Sequence, residues 1–343
     1  MSTLSLIFVG FGNVGQALAR LLERKQTLLD EEYGFKTRIV GIATGRHGMA
    51  LNPNGLPMEE VLASLKSGES LARFHNGPAV SDTFDFIRQS KADVMFENSP
   101  VNHQTGQPAA DHLRTALESG MHAITANKGP VVHAFNELTA LAKIQGKRFM
   151  FESAVMDGAP IFSLFRGPLP AIELKGFTGI LNSCTNLLLG LMEEEKTFDE
   201  AVSYAQSIGI TETNPSADID GWDATIKVCA LSTVIMGIPL KPDQVEREGI
   251  RGITPKMIQE ARAAGERWKL VCSARYENKK FVGRVKPQRV RPTSPMFSVN
   301  GTSSFVQFET DVLPGLGILE GDPSPDTTAY GLLADLVNTV RGQ

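Results

Sequence analysis

The residues best suited to chemistry lie between 205 and 227, where the chain reads Ala-Gln-Ser-Ile-Gly-Ile-Thr-Glu-Thr-Asn-Pro-Ser-Ala-Asp-Ile-Asp-Gly-Trp-Asp-Ala-Thr-Ile-Lys. Asp218, Asp220, Asp223 and Lys227 lead into an apolar helical pattern. With a helix starting near Gly221, Asp223 and Lys227 stand four residues apart on one face. On a surface such a pair is an ordinary ion pair worth about 0.3–0.5 kcal/mol. On an otherwise apolar helix it reads instead as polar groups placed inside a cleft. Acids beside a cation there suit a substrate with both amino and carboxyl groups. Pattern alone leaves both readings open.

A second group is Gly10-Phe11-Gly12-Asn13-Val14-Gly15, between an apolar β-prone segment and a helix pattern. Gly10 permits a tight turn, Gly12 lets backbone approach a pyrophosphate, and Gly15 allows close helix–strand packing. The helix N-terminus offers N–H groups and positive dipole to the anion. In this strand–turn–helix setting the motif predicts a dinucleotide site, nicotinamide rather than flavin. An acid commonly ends the second strand of NAD sites, yet here it ends Thr44-Gly45-Arg46-His47. Arg46 can pair with a 2′-phosphate, so NADP is the expected cofactor and NAD the alternative. The plainer reading of Arg46 is an exposed loop arginine.

These groups need elements to hold them. Strands are expected at Leu4–Val9, Arg38–Ala43, Ala92–Glu97, His122–Thr125 and Arg148–Glu152. Helices are expected from Val14, near Phe84–Gln89, at Gln107–Glu118 and near Ala134–Ile144. Alternation of this kind predicts a Rossmann-type, doubly wound parallel sheet. Past Ser153 the rhythm changes to strands at Glu173–Leu181, Trp268–Tyr276, Lys280–Pro287 and Ser304–Glu309. Helices are expected there at Thr197–Ile208 and Asp223–Gly237, and a closing helix at Thr328–Val340. The expected organisation is α/β: residues 1–152 dinucleotide-binding, 153–310 an α+β substrate domain, and 311–343 a segment returning to the first.

With 343 residues, 42% hydrophobic and 21% charged, the chain suits two globular domains rather than disorder or a fibrous repeat. Net charge is −4. The basic stretch Lys279-Lys280, Arg284, Lys286, Arg289 and Arg291 reads as a solvated strand face, and no nucleic-acid partner is expected. Cys184, Cys229 and Cys272 are odd in number and far apart. They suit neither a disulfide framework nor a zinc site, so a reducing cytoplasm is expected. Leu4–Val9 leads straight into a glycine turn rather than a signal-peptide cleavage site. Val228–Leu240 is too short to span a bilayer, so no membrane association is expected.

The 205–227 segment resembles the signature of homoserine dehydrogenases, with Ala205, Gly209, Asn214, Pro215, Asp218, Gly221, Asp223 and Lys227 in register. Thr125-Ala126-Asn127-Lys128-Gly129-Pro130 and Glu309-Thr310-Asp311 extend the resemblance over nearly the whole chain. The resemblance implies NADPH- or NADH-dependent reduction of L-aspartate 4-semialdehyde to L-homoserine, on the route to threonine and methionine. It implies Lys128 and Lys227 flanking the reacting carbonyl, with Lys227 the proton donor and Lys128 holding cofactor and stabilising charge on oxygen. Lys128 alone could equally be a turn lysine.

By the same resemblance Glu212 and Asp218 bind the substrate, Asp223 orients Lys227 or binds substrate, and Ser99 contacts cofactor. Glu152, Val155, Asp157 and Ala159 match a monovalent-cation loop, where mainly backbone carbonyls bind sodium. Two departures stand out. Ser183-Cys184 occupies a substrate-wall position where the family has Gly-Thr, and Cys184, a weaker hydrogen-bonding group than a hydroxyl, becomes a substrate-contact candidate. Gly321–Asp326 replaces a glycine-rich loop near the cofactor. The alternatives are a related dehydrogenase of another small hydroxy or amino acid, or a cofactor-binding protein without catalysis. The resemblance suggests a homodimer, with residues 153–310 also the dimerisation domain. The chain ends soon after the closing helix, as in a short form without a regulatory extension, so little threonine feedback is expected.

Overall fold

A computed structural model describes residues 2–211 and 213–342. The chain divides into two compact units, Met1–Pro160 with Ser324–Gln343, and Ile161–Pro323.

The first unit is built on strands β1 (Ser2–Val9), β2 (Phe35–Thr44), β3 (Gly48–Leu51), β4 (Val94–Glu97), β5 (His122–Thr125) and β6 (Phe149–Met150). Their order is β3-β2-β1-β4-β5-β6. β1 runs parallel to both β2 and β4, and β4–β5 and β5–β6 are parallel too. The sheet is therefore parallel except at one edge, where β3 pairs antiparallel with β2 through the turn at residues 45–47. The sequence pattern missed β3 because four residues are too few for a period to show.

β1, β4 and β5 are wholly apolar at their centres because helices cover both faces. Phe8 stacks on Phe96 at 5.1 Å and meets Phe11 edge-on at 5.1 Å, which ties the glycine turn to the core. The chain winds away from β1 in both directions, so ligands are expected outside the carboxyl ends of β1 and β4. The last helix, Pro325–Arg341, packs against the first, Asn13–Tyr33. The strand expected at Arg148–Glu152 shrinks to Phe149–Met150, because residues 152–154 form a 3₁₀ turn. The Glu152 N–H donates to Asp335 on that last helix at 2.7 Å instead of to a neighbouring strand.

The second unit holds β7 (Leu174–Ile180), β8 (Glu246–Arg247), β9 (Arg267–Glu277), β10 (Lys280–Val290), β11 (Ser304–Thr310) and β12 (Leu316–Glu320). Their order is β12-β11-β7-β9-β10-β8, antiparallel except for the short β10–β8 pair. The expected β9 and β10 form one hairpin around Asn278-Lys279, both at positive φ. Three basic residues of β10 are matched by acids: Arg284 by Glu246 and Glu277, Lys286 by Glu246, and Arg289 by Glu266. Arg291, just beyond the strand, also pairs with Glu266.

The Trp222–Ile235 helix packs on β9 and β10. Gly283 makes room for Leu240, beyond the end of that helix, since a Cβ there would stand 2.7 Å from its side chain. Among the described residues, no helix is long and apolar enough to cross a membrane. All three cysteines are free and buried.

Candidate active site

Three loops gather at the carboxyl edge of the first sheet. The first is the glycine turn. Gly10 has φ +83°, and a Cβ on it would stand 2.5 Å from the backbone carbonyl of Asn98. Only glycine fits that combination of left-handed backbone and close approach. Gly12 caps the Asn13–Tyr33 helix without any side-chain cap, and a Cβ there would meet nothing within 4 Å. The first-turn N–H groups of the helix face that open space, which suits a phosphate. At Gly15 a Cβ would instead meet the Phe11 ring at 3.1 Å and Gly10 oxygen at 3.3 Å. Gly15 thus lets the helix sit on its own turn rather than on the strand.

The second loop, Asn98-Ser99, follows β4. The Ser99 hydroxyl donates to the Glu97 carboxylate. Both amide atoms of Asn98 are buried without a protein partner. Buried unpaired amides are rare, and this one marks a place for a polar ligand. Sequence reasoning missed Asn98; its only signal was its position between a strand end and Ser99. The third loop follows β5, where Asn127 caps the Lys128–His133 helix by accepting from the Gly129 N–H at 3.0 Å. Asn127 also donates to the Ser99 carbonyl at 3.0 Å, joining the second and third loops. Lys128 is the first residue of that helix and is partly exposed. Arg46 sits exposed in the β2–β3 turn, where Thr44 accepts from the His47 N–H at 2.8 Å. β2 ends in Thr44, and no acidic residue follows it before β3. The open Gly12 turn and the unpaired Asn98 amide together fit a dinucleotide.

In the second unit the 205–227 segment closes into one polar cluster. Gly221 at φ +79° ends the Ser216–Ile219 turn and starts the Trp222–Ile235 helix. The expected four-residue spacing is realised: Lys227 Nζ lies 3.1 Å from Asp223, both side chains under one-fifth exposed. Lys227 also donates to the Leu181 carbonyl at 2.7 Å, which holds the ammonium at a fixed point. Asn182 donates its amide to Asp218 at 2.8 Å and to Asp223 at 3.0 Å. Thr211 donates to the other oxygen of Asp218 at 2.8 Å.

Burial, and then the neighbouring charge of Asp223, push the Asp218 carboxyl above its usual range. Cys184 is buried beside Asp218 and Thr211. Its thiol is pushed up to about 12, first by burial and then by the Asp218 charge, and so stays protonated. Glu212 lies outside the described residues. Asp220 turns elsewhere, pairing with Arg251. Asn182 escaped sequence reasoning because an asparagine between a strand and a helix reads as a cap, and it is one: it accepts from the Thr185 N–H at 2.8 Å.

In the loop matched to a cation site, Met156 and Asp157 adopt positive φ. The Asp157 carboxylate accepts from the Ser324 N–H at 3.0 Å and the Thr327 hydroxyl at 2.7 Å. It therefore braces the start of the last helix, whose N-cap is Ser324. Among the described residues, no cluster of three or more His, Cys, Asp or Glu side chains could hold a metal.

A doubly wound sheet with a phosphate-ready glycine turn, joined in one chain to a lysine–carboxylate cluster, defines a dinucleotide-dependent oxidoreductase of a small polar substrate. Comparison with known proteins makes it particular. Residues 10–152 match the model of the homoserine dehydrogenase NAD-binding domain, and residues 160–337 match that of homoserine dehydrogenase. The NAD(+)-dependent homoserine dehydrogenase of Pseudomonas canavaninivorans is 32% identical over 98% of this chain and 96% of its own. The homoserine dehydrogenase of Methanocaldococcus jannaschii is 33% identical over 98% of both. A hyperthermophilic archaeal homoserine dehydrogenase solved with NADPH superposes with a TM-score of 0.83 at 26% identity, covering 99% of this chain and 98% of that one. The chain belongs to the homoserine dehydrogenase family, NAD(P)-dependent oxidoreductases acting on a CH–OH group.

Proposed function

We propose that the protein reduces L-aspartate 4-semialdehyde to L-homoserine with NADPH, in threonine and methionine biosynthesis. The observation carrying this reading is the Asp218–Asn182–Asp223–Lys227 cluster. Two carboxylates against one ammonium leave the cluster short of positive charge, which favours a substrate ammonium group. Asp218 binds that group, with Glu212, six residues earlier in the chain. Lys227 passes a proton from Nζ to the aldehyde oxygen, while Asp223 and the Leu181 carbonyl hold the amine in place. The bound nicotinamide supplies the hydride.

Gly10 to Gly15, Asn98, Ser99 and Lys128 hold the cofactor. Arg46 and the lack of an acid after β2 support NADP over NAD, although relatives are known with either. Cys184 beside Asp218 supports a second reading, a neighbouring small hydroxy or amino acid as substrate. The Glu152, Val155, Asp157 and Ala159 segment supports a sodium ion held by carbonyls. Three free buried cysteines support a cytoplasmic setting, and the family resemblance supports a homodimer, which sedimentation velocity tests.

The deciding experiment follows reduced-cofactor absorbance with L-homoserine and NADP or NAD. We expect turnover with NADP favoured, and a loss of kcat of about 10²–10⁴ in Lys227→Ala, the usual contribution of a positioned proton donor. No turnover with homoserine, alongside turnover of another hydroxy amino acid, would move the assignment to the second reading.

A further inference from the structure

Glu97 ends β4 and is completely buried, yet no step of the reaction uses it. Removing a carboxylate from water costs several kcal/mol unless donors surround it. Glu97 is surrounded. One oxygen accepts from the Ser99 hydroxyl and, at 3.2 Å, from the Ser99 N–H. The same oxygen faces Nδ1 of buried His112 at 3.5 Å. The Thr125 hydroxyl donates to the Glu97 backbone carbonyl at 2.7 Å and lies 3.3 Å from the other carboxylate oxygen.

Thr125 in turn accepts from the Asn127 N–H at 2.9 Å, and Asn127 both grips the Ser99 carbonyl and caps the helix that begins with Lys128. Gly10 presses against the backbone of Asn98 and Ser99 from the opposite side. Glu97 therefore ties the ends of β4 and β5, its carbonyl holding Thr125 and its carboxylate holding Ser99, and both loops expected to hold cofactor branch from it.

We propose that Glu97, braced by His112, is a positioning residue for the cofactor site, setting the Ser99 hydroxyl and the Asn127–Lys128 turn through the reach of its side chain. The inference rests on the placement of cofactor against Ser99 and Lys128. Its leverage is geometric: the carboxylate accepts from the Ser99 hydroxyl and N–H while packed against His112 and Thr125, so its length fixes where Ser99 stands, and Asn127 follows through its bond to the Ser99 carbonyl. A retained buried polar group with all its partners in place can specify one arrangement where an apolar side chain would permit several.

The test measures NADPH binding to the cofactor-free enzyme by calorimetry, with melting temperature recorded for each variant. Glu97→Asp keeps the charge but withdraws the carboxylate by one methylene. Glu97→Gln keeps the reach and an oxygen acceptor but loses the charge. Positioning predicts that Glu97→Asp weakens NADPH binding about tenfold while Glu97→Gln stays within about threefold. Ser99→Ala added to the Asp variant should then cost less than it does alone, because the hydroxyl is already misplaced.

Gln binding more weakly than Asp would assign the role to charge and overturn the proposal. So would Kd values within threefold for both variants, with only melting temperature changed. Ser99→Ala alone separates this inference from its foundation. If it leaves NADPH affinity unchanged, the cofactor placement itself fails and takes the proposal with it. If it weakens binding while both Glu97 variants do not, only the proposal fails.

Discussion

Gly10 and Gly12 belong to one motif, yet the structure gives them separable roles, and alanine at each should expose the difference. At Gly10 an alanine meets two penalties. A φ of +83° costs a residue with Cβ roughly 1–2 kcal/mol. The new Cβ would also stand 2.5 Å from the Asn98 carbonyl carbon and oxygen and 2.7 Å from the Ser99 nitrogen, all backbone that cannot rotate away. Relief requires moving the Asn98–Ser99 loop, so a total loss above about 3 kcal/mol is expected. At about 2–4 °C per kcal/mol for a unit of this size, melting should fall by at least roughly 6 °C.

At Gly12 the backbone is extended at φ −79°, ψ −155°, and the added methyl meets nothing within 4 Å. Alanine is a poorer helix cap than glycine by some tenths of a kcal/mol, and reduced unfolded-state entropy offsets about 0.4–1 kcal/mol. Gly12→Ala should therefore melt within about 2 °C of the parent. Its methyl occupies the space expected for pyrophosphate, so NADPH binding should weaken by roughly tenfold or more. Differential scanning calorimetry and NADPH titration on both variants provide the assay. Normal NADPH affinity in Gly12→Ala would refute the reading of the open turn as a phosphate seat. An unchanged melting temperature in Gly10→Ala would refute the steric reasoning.

Three further outcomes are expected. Because the Asp218 carboxyl is raised in the folded state by burial and by Asp223, the fold binds its proton more tightly than the unfolded chain does. Stability is thus lost as pH rises through the raised value, and Asp218→Asn should lose less stability than the parent over that rise, while homoserine turnover falls; an equal loss in both would contradict this. His122 is depressed to about 4, chiefly by burial and then by Lys147 and Arg148, and its Nδ1 accepts from the Arg148 N–H at 3.0 Å. Its contribution is complete above the unfolded value near 6.5 and fades as pH falls toward 4, on the order of 2 kcal/mol, so His122→Asn should flatten denaturant midpoints across that window. Cys184, buried with its thiol pushed up to about 12, should resist thiol reagents at pH 8 in the folded enzyme, and Cys184→Thr should shift KM for homoserine several-fold while leaving cofactor KM unchanged; rapid native labelling would show that the wall around Asp218 is open.

Much of the site was legible because its signals are local. The 10–15 turn announces itself by glycine spacing at a strand end, and Asp223 and Lys227 by the four-residue repeat of a helix. Long strands such as β1, β9 and β10 carry enough apolar alternation to be seen, and Gly120, Gly146 and Gly209 follow helices in the left-handed backbone that glycine favours there. What escaped was short or covered by tertiary contact. β3 is too short to show a period, and β8 owes its pairing to β10, nearly forty residues further along the chain. The Ser183–Glu193 helix is buried along most of its length, so it shows no polar face to mark its period.

Residue types and near spacing therefore determined the class of chemistry: a dinucleotide turn, a lysine–carboxylate pair and an alternating frame to carry them. Tertiary structure decided which polar groups share a partner. Asn182 joins Asp218 and Asp223 across a gap of about forty residues, Asp220 is drawn off to Arg251, and Glu97 binds loops from two strands. Periodicity reports the face a side chain presents, and hydrogen-bond partners are set by which faces the packed chain brings within about 3 Å.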